Sequence, residues 1–398
     1  MSAPKGETLG AARRLVLERP GRRAALQAAL GSWAALAGSN AASATPSPTP
    51  ASTDDDRIAP DRRLAFPRDH GAHAGARIEW WYATGWLQAT DGDAGLVGFQ
   101  LTFFRSRTGV ADQLPGRFAP RQLLFAHAAV SDIGAGTHRH AQRITRWSGD
   151  ETLPEAHAGR ADTALALGRW TLKRAPDDGY RALLAAPEAG FALDLRLQPT
   201  QPLLLQGDAG HSRKGPLATQ ASHYYSQPQL AVDAVLTLAG RRRPLAGRGW
   251  LDHEWSDELL APGAVGWDWM GINLTDGSAL TAFVLRRADG STVWAGGSHR
   301  PAGGALRSFG PEEVEFSAQR RWTSPATGAS YPVHWRLRTP AGRFELRALL
   351  DDQELDSRAS TGTVYWEGLA ELLAPDGGRV GLGYLEMTGR AQPLTLGF

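Results

Sequence analysis

The chain of 398 residues contains no cysteine. That absence excludes disulfides, thiolate metal sites, thiol nucleophiles and a lipid-modified N-terminal cysteine, so the fold must be held by its cores alone. No apolar run approaches the twenty or so residues that a membrane-spanning helix needs. Enzyme signatures with local spacing are missing too. There is no Gly-x-Ser-x-Gly elbow, no His-Glu-x-x-His, no phosphate-binding glycine loop and no dinucleotide fingerprint. No cofactor is therefore expected. His138 and His140 are the one close histidine pair, in a glycine-rich turn region with no third ligand evident, so no metal is expected either. No basic patch points to nucleic acid.

What is present begins with a leader. Lys5, Arg13, Arg14, Arg19, Arg22 and Arg23 precede a mildly apolar stretch from Ala24 to Gly38, and Ala42-Ser43-Ala44 fits a small-residue cleavage site. Residues 1–44 thus read as a signal peptide, with Arg22-Arg23 favouring the twin-arginine route. Its removal leaves 37 basic and 39 acidic residues, a net charge of about −2. The expected location is periplasmic or secreted, in soluble form. Residues 45–63, rich in Pro, Ser and Thr and then acidic, read as a disordered linker.

The 46 glycines and 25 prolines, with few helix-period stretches, indicate short strands and many turns. Strand-like runs flank Asp91-Gly92-Asp93, Ala239-Gly240, Thr275-Asp276-Gly277 and Asp376-Gly377-Gly378, all hairpin signals. The fold class is all-β, of the sandwich or barrel kind. A loose echo recurs at strand starts: Trp81-Tyr82-x-x-Gly85, Trp267-x-Trp269-x-Gly271 and Tyr365-Trp366-x-Gly368. It suggests two related barrels, with glycine allowing close backbone approach. Pro262-Gly263 breaks the strand pattern, giving domains at 64–258 and 259–398.

Four of the fourteen tryptophans, five acids and a His-x-Trp crowd into Gly247 to Trp269. In an extended strand Leu251, His253 and Trp255 share one face, and Asp252 and Glu254 the other. His253 and Trp255 can line one pocket together, or form a hydrogen-bonded core histidine beside a packing tryptophan. Asp252 and Glu254 are expected to be solvated or paired with Arg248, and Asp268, opposite Trp267 and Trp269, to lie at the surface. Glu79, before Trp80, Trp81 and Tyr82, is a candidate buried carboxylate. His127 and Asp132 fall on opposite faces of one strand. In Ser222 to Ser226, His223, Tyr224 and Tyr225 offer groups that hydrogen-bond a polar ligand atom or seal a strand end.

Ile78 to Leu87 (IEWWYATGWL), His127 to Asp132 (HAAVSD), Ser222 to Leu238, Gly247 to Leu260 (GRGWLDHEWSDELL) and Trp267 to Arg286 resemble the AttH-like proteins, described as secreted hydrolases and related to carotenoid 1,2-hydratases. The resemblance implies two consecutive lipocalin-like antiparallel β-barrel domains. It also implies a His-x-Trp catalytic motif, matched by His253 and Trp255, and a Tyr-x-Asp motif that should fall near Ala279 to Ala282, where neither residue stands. The function expected first is binding of a hydrophobic or amphipathic small molecule of lipid or terpenoid class, with Trp81, Tyr82, Tyr224, Tyr225, Trp267 and Trp269 as ligand contacts. Membrane ABC-transporter components are expected partners. The alternative is an enzyme, a hydratase or hydrolase on such a substrate, with His253 as acid and base.

Overall fold

The computed structural model describes residues 56–89, 95–114 and 119–394. The signal-peptide segment, most of the linker and the Asp91-Gly92-Asp93 turn lie outside the described residues. Among the described residues Asp56 is buried, bonds the Gly75 amide and pairs with Arg68, while Ile58 packs on the first core.

Two antiparallel sheets, each barrel-like, account for nearly all the regular structure. The first carries, in spatial order, Thr137–Trp147, Gln122–Asp132, Val97–Arg107, Ile78–Ala89, Arg241–Ser256, Ala221–Leu238, Phe191–Gln198, Tyr180–Ala186, Trp170–Arg174, Ala164–Leu167 and Ala156–Ala158. Its two ends return against each other, Thr137–Trp147 touching Ala156–Ala158 and Ala164–Leu167, so the sheet curls around one core. The second sheet has Gly266–Leu274 and Arg379–Met387 side by side at its middle, flanked by Ala279–Arg286 and Val364–Leu373. Its core is separate. The last strand of the first sheet stops at Ser256 and the first of the second begins at Gly266. Together these are two lipocalin-like barrels.

Glycines occupy the points where backbones meet most closely. A Cβ on Gly85 would lie 2.3 Å from the Arg248 carbonyl oxygen, and one on Gly247 would lie 1.8 Å from that of Trp86. The Ile78–Ala89 and Arg241–Ser256 strands therefore pair at this spacing because both positions lack a side chain. Ala239 and Gly240, with φ of 48° and 79°, turn the long Ala221–Leu238 strand back on its partner. That pair slips register between Gln227 and Leu230 around Pro228, which has no amide to donate. The bulge faces the second barrel. Gln229 donates its backbone amide to Asn273 and its side-chain amide to the Leu274 and Ser278 carbonyls.

A third apolar cluster lies between the barrels. It includes Tyr82, Trp250, Trp269, Phe283, Leu369 and Tyr384, contributed by the outer walls of both. Strands at this seam are thus buried on both faces, one toward their own barrel core and the other toward the opposite barrel.

Candidate functional site

Alternation along Arg241–Ser256 sorts its side chains into two environments. Leu251, His253 and Trp255 enter the core of the first barrel, while Asp252 and Glu254 face the seam. Each environment is built around carboxylates, and burial gives the two opposite electrostatics.

Inside the first barrel the centre is Glu79. Its Oε1 accepts from His73 Nδ1 at 2.7 Å and His253 Nε2 at 2.9 Å, and Oε2 accepts from Arg105 Nε at 2.7 Å. Burial alone would raise the Glu79 pKa, but the Arg105 and His73 charges and the His253 and His73 hydrogen bonds hold it well below the usual carboxylate range. His253 is pushed down to about 4 by burial, against the pull of Glu79. With Nε2 donating to the carboxylate, His253 Nδ1 accepts from the Tyr225 hydroxyl at 3.2 Å, and that hydroxyl also meets His70 Nδ1 at 2.8 Å. His73 Nε2 reaches Asp69 at 3.0 Å, which Arg62 holds at 2.8 Å. The rings are layered, His73 stacking on Trp255 at 3.6 Å and Trp81 on His253 at 4.5 Å. Of the residues anticipated for the site, His253, Trp255, Trp81 and Tyr225 belong to this network.

His73, Glu79 and His253 offer ligand atoms within 4.8 Å of one another, a spacing a metal ion can bridge. These groups already satisfy one another by hydrogen bonds, and the Arg105 cation occupies the other face of the carboxylate. The set is complete as it stands.

On the opposite face, a largely apolar cavity of about 140 Å³ lies between the barrels. Tyr82, Tyr224, Trp267 and Trp269 line it, and Glu79 and Arg105 contribute to its wall, so the network borders the cavity. Five further carboxyls line it, Asp252, Glu254, Glu258, Glu367 and Glu386, and burial raises the pKa of three of them, Asp252, Glu367 and Glu386. Asp252, expected in solvent or paired with Arg248, is 3% exposed because the second barrel covers its face of the strand. Its oxygens accept from Trp250 Nε1 at 2.7 Å and the Tyr224 hydroxyl at 2.8 Å. Burial raises its pKa to about 7 against those hydrogen bonds, with Glu254 adding to the rise. Burial likewise lifts Glu386 to about 7, opposed by its hydrogen bond with Trp267 and assisted by Asp252 and Glu254. Glu367 is raised well above the usual range, by burial first and then by Glu386, against the hydroxyls of Tyr82 and Tyr365 that face it. Tyr82 Oη and Glu367 Oε1 are buried, yet neither completes a well-formed hydrogen bond. This loosely bonded pair on the cavity wall is where a polar atom of a ligand fits.

Glu254, expected in solvent or paired with Arg248, is buried and pairs with Lys214 at 3.0 Å instead; the ammonium lies over the Tyr224 and Phe283 rings. Asp268, expected at the surface, is 1% exposed, clamped by Arg286 at 2.8 Å and Arg390 at 2.7 Å. Alternation does place it opposite Trp267 and Trp269, but that opposite face is barrel core. Glu367, Glu386 and Tyr365 were not anticipated. The available signal was an acid set among aromatic and apolar neighbours in each of two strands, Glu367 in VYWEGL and Glu386 in GYLEM.

A family model described as AttH-like matches residues 57–390. Among solved structures, an AttH-type protein from Nitrosomonas europaea is 46% identical, with a TM-score of 0.76, covering 84% of this chain and 99% of that one. Kievitone hydratase from Nectria haematococca is 15% identical, with a TM-score of 0.59, covering 82% and 92%. A search of curated proteins finds no match.

Proposed function

This chain belongs to the AttH-like family, and from that premise we propose that its inter-barrel cavity binds a hydrophobic small molecule of lipid or terpenoid class and adds water to, or removes it from, a carbon–carbon double bond by acid catalysis. The observation that carries this reading is the trio of Asp252, Glu367 and Glu386, carboxyls whose burial favours the neutral form, on the wall of an apolar cavity. Carboxyls with displaced pKa values are what general acids and bases working near neutrality need. The likeness in fold to a protein named as a hydratase is compatible with this but speaks for the fold alone. A Tyr-x-Glu pair, Tyr365 and Glu367, stands against the cavity in place of the Tyr-x-Asp pair sought near Ala279.

In the hydration direction, protonated Glu367 gives its proton to one alkene carbon and becomes a carboxylate. The neighbouring carbon carries the positive charge, stabilised by the π faces of Trp267 and Trp269. A water oxygen bonds to that carbon, and its surplus proton passes to the carboxylate form of Asp252 or Glu386. Both titrate near neutrality, so each is partly ionised at the working pH. Dehydration is the same path reversed. His253 and Glu79 hold the wall from behind, fixing the Ile78–Ala89 and Arg241–Ser256 strands that present Tyr82 and Asp252.

The test is incubation of an apolar extract of the native host with the protein in water labelled with heavy oxygen, followed by mass spectrometry. A product carrying the label, lost in Glu367→Gln, is expected. Binding without turnover is the second reading, favoured by the apolar walls. A bound but unlabelled molecule would support it and exclude hydration.

A further inference from the structure

The segment from Asp56 to His70 builds a third charged environment, apart from the inter-barrel cavity. A cavity of about 460 Å³ is lined by Arg57, Arg62, Arg63 and Arg68 together with Asp61 and Asp69. Arg57, Asp61 and Arg63 are exposed at its rim, while Arg62 and Arg68 lie deeper. The two deeper guanidinium groups are fixed in place. Arg62 Nη2 donates to Asp69 Oδ1 at 2.8 Å, and its Cζ lies 5.3 Å from the centre of the Trp255 ring. Arg68 Nη2 donates to Asp56 Oδ1 at 2.8 Å. Each pairing engages one terminal nitrogen and leaves the other over. Nη1 of Arg62 and Nη1 of Arg68 are both buried, and among the described residues neither has a hydrogen-bond partner. Arg68 Nη1 comes only within 4.0 Å of Asp69 Oδ1, an oxygen already engaged by Arg62 and His73.

Two buried cationic donors without acceptors carry a desolvation penalty that a bound acceptor removes. The charge balance says which kind of acceptor fits. With Asp56 added, three carboxylates stand against four arginines, so the pocket keeps a net positive charge. Guanidinium nitrogens match the oxygens of phosphate and carboxylate groups. Donors from two separate guanidinium groups suit a ligand that presents more than one oxygen, which chloride does not. Arg57 and Arg63 line the same cavity and offer donors to further oxygens, favouring a tetrahedral phosphate over a planar carboxylate. We propose that this pocket binds a phosphate-class oxyanion, free or as the head of an ester, between Arg62 Nη1 and Arg68 Nη1. The exposed rim leaves the substituent of an ester free to run into solvent.

Calorimetric titration of inorganic phosphate into the full chain, in chloride buffer of constant ionic strength, tests this. Wild type is expected to bind one phosphate saturably. Arg62→Lys and Arg68→Lys keep a cation for Asp69 and Asp56 but lack the second donor, so each should weaken binding about tenfold or more. Arg307→Gln, at an exposed ion pair of the second barrel, should bind as wild type does. If a lysine variant fails to fold, Arg57→Gln combined with Arg63→Gln at the exposed rim should still lower the affinity, and an unchanged affinity there counts against the site. Absence of saturable binding in wild type means that water satisfies the two donors, and it overturns the proposal. Equal affinity in wild type and both lysine variants overturns it as well. Co-sedimentation with phosphatidylglycerol vesicles separates the two sources of phosphate. Association that inorganic phosphate displaces and Arg62→Lys weakens supports a lipid head group as the ligand. Saturable phosphate binding without vesicle association supports a soluble phosphate.

Discussion

Replacement of Asp252 by Asn separates the electrostatics of the seam from its packing. Asn has nearly the same shape, its oxygen still accepts from Trp250 Nε1, and its amide meets the Tyr224 hydroxyl. What it removes is the titration. Asp252 rises from an ordinary value of 3.8 to about 7 on folding. An acid whose folded value is raised favours the folded state fully only below its unfolded value, and stability is lost as pH climbs between the two. At about 1.4 kcal/mol per decade over roughly three decades, the wild type forfeits about 4 kcal/mol above pH 7. Asp252→Asn should therefore be more stable than wild type by about 4 kcal/mol at pH 8 and by under about 2 kcal/mol at pH 5. Urea unfolding of both proteins at the two pH values reads the difference. An equal gain at both pH values, or a loss at pH 8, would refute the claim that Asp252 is held neutral by burial.

The buried histidines give the opposite slope. Burial holds His253 near 4 and His70 near 3, below their ordinary 6.5. Stability from such groups is complete above about pH 6.5 and is lost as pH falls toward 4, by about 3 kcal/mol for His253, so thermal unfolding should show steep acid destabilisation, less steep in His253→Gln. Glu367→Gln should leave ligand binding measurable while lowering turnover by about 10²–10⁴, read by product formation in labelled water. Tyr82→Phe removes a buried hydroxyl that faces Glu367 without completing a well-formed hydrogen bond. Its stability in urea should match wild type, while affinity for a bound hydroxyl or carbonyl compound should fall by about 1 kcal/mol, measured by calorimetry. Gly247→Ala sets a Cβ against the Trp86 carbonyl and should destabilise the first barrel by about 3 kcal/mol, visible as a lowered urea midpoint.

The barrels were legible in the sequence because local chemistry carries them: turn residues at the hairpins, period-two alternation, and glycine where backbones meet. Alternation also separated His253 and Trp255 from Asp252 and Glu254. Where Asp252, Glu254 and Asp268 came to rest was not legible, because alternation says which side chains share a face and not what covers that face. Asp252 reads as solvated until the second barrel closes over it. Trp250 beside Leu251, and Trp80 beside Trp81, hint at a strand buried on both sides, as apolar runs without alternation do. The partner of His253 was hidden for a different reason. Glu79 is 174 residues away and meets it only through the pairing of Ile78–Ala89 with Arg241–Ser256. Glu367 and Glu386 come from the C-terminal hairpin of the other barrel, and nothing local links them to Asp252.

Native mass spectrometry of protein purified from its own host tests the central claim most directly. Wild type should carry a noncovalently bound apolar molecule, and Glu367→Gln should carry its unreacted counterpart, differing by the mass of one water. The same bound mass in both proteins, or no bound molecule in either, would contradict an acid-catalysed hydration or dehydration in the cavity between the barrels.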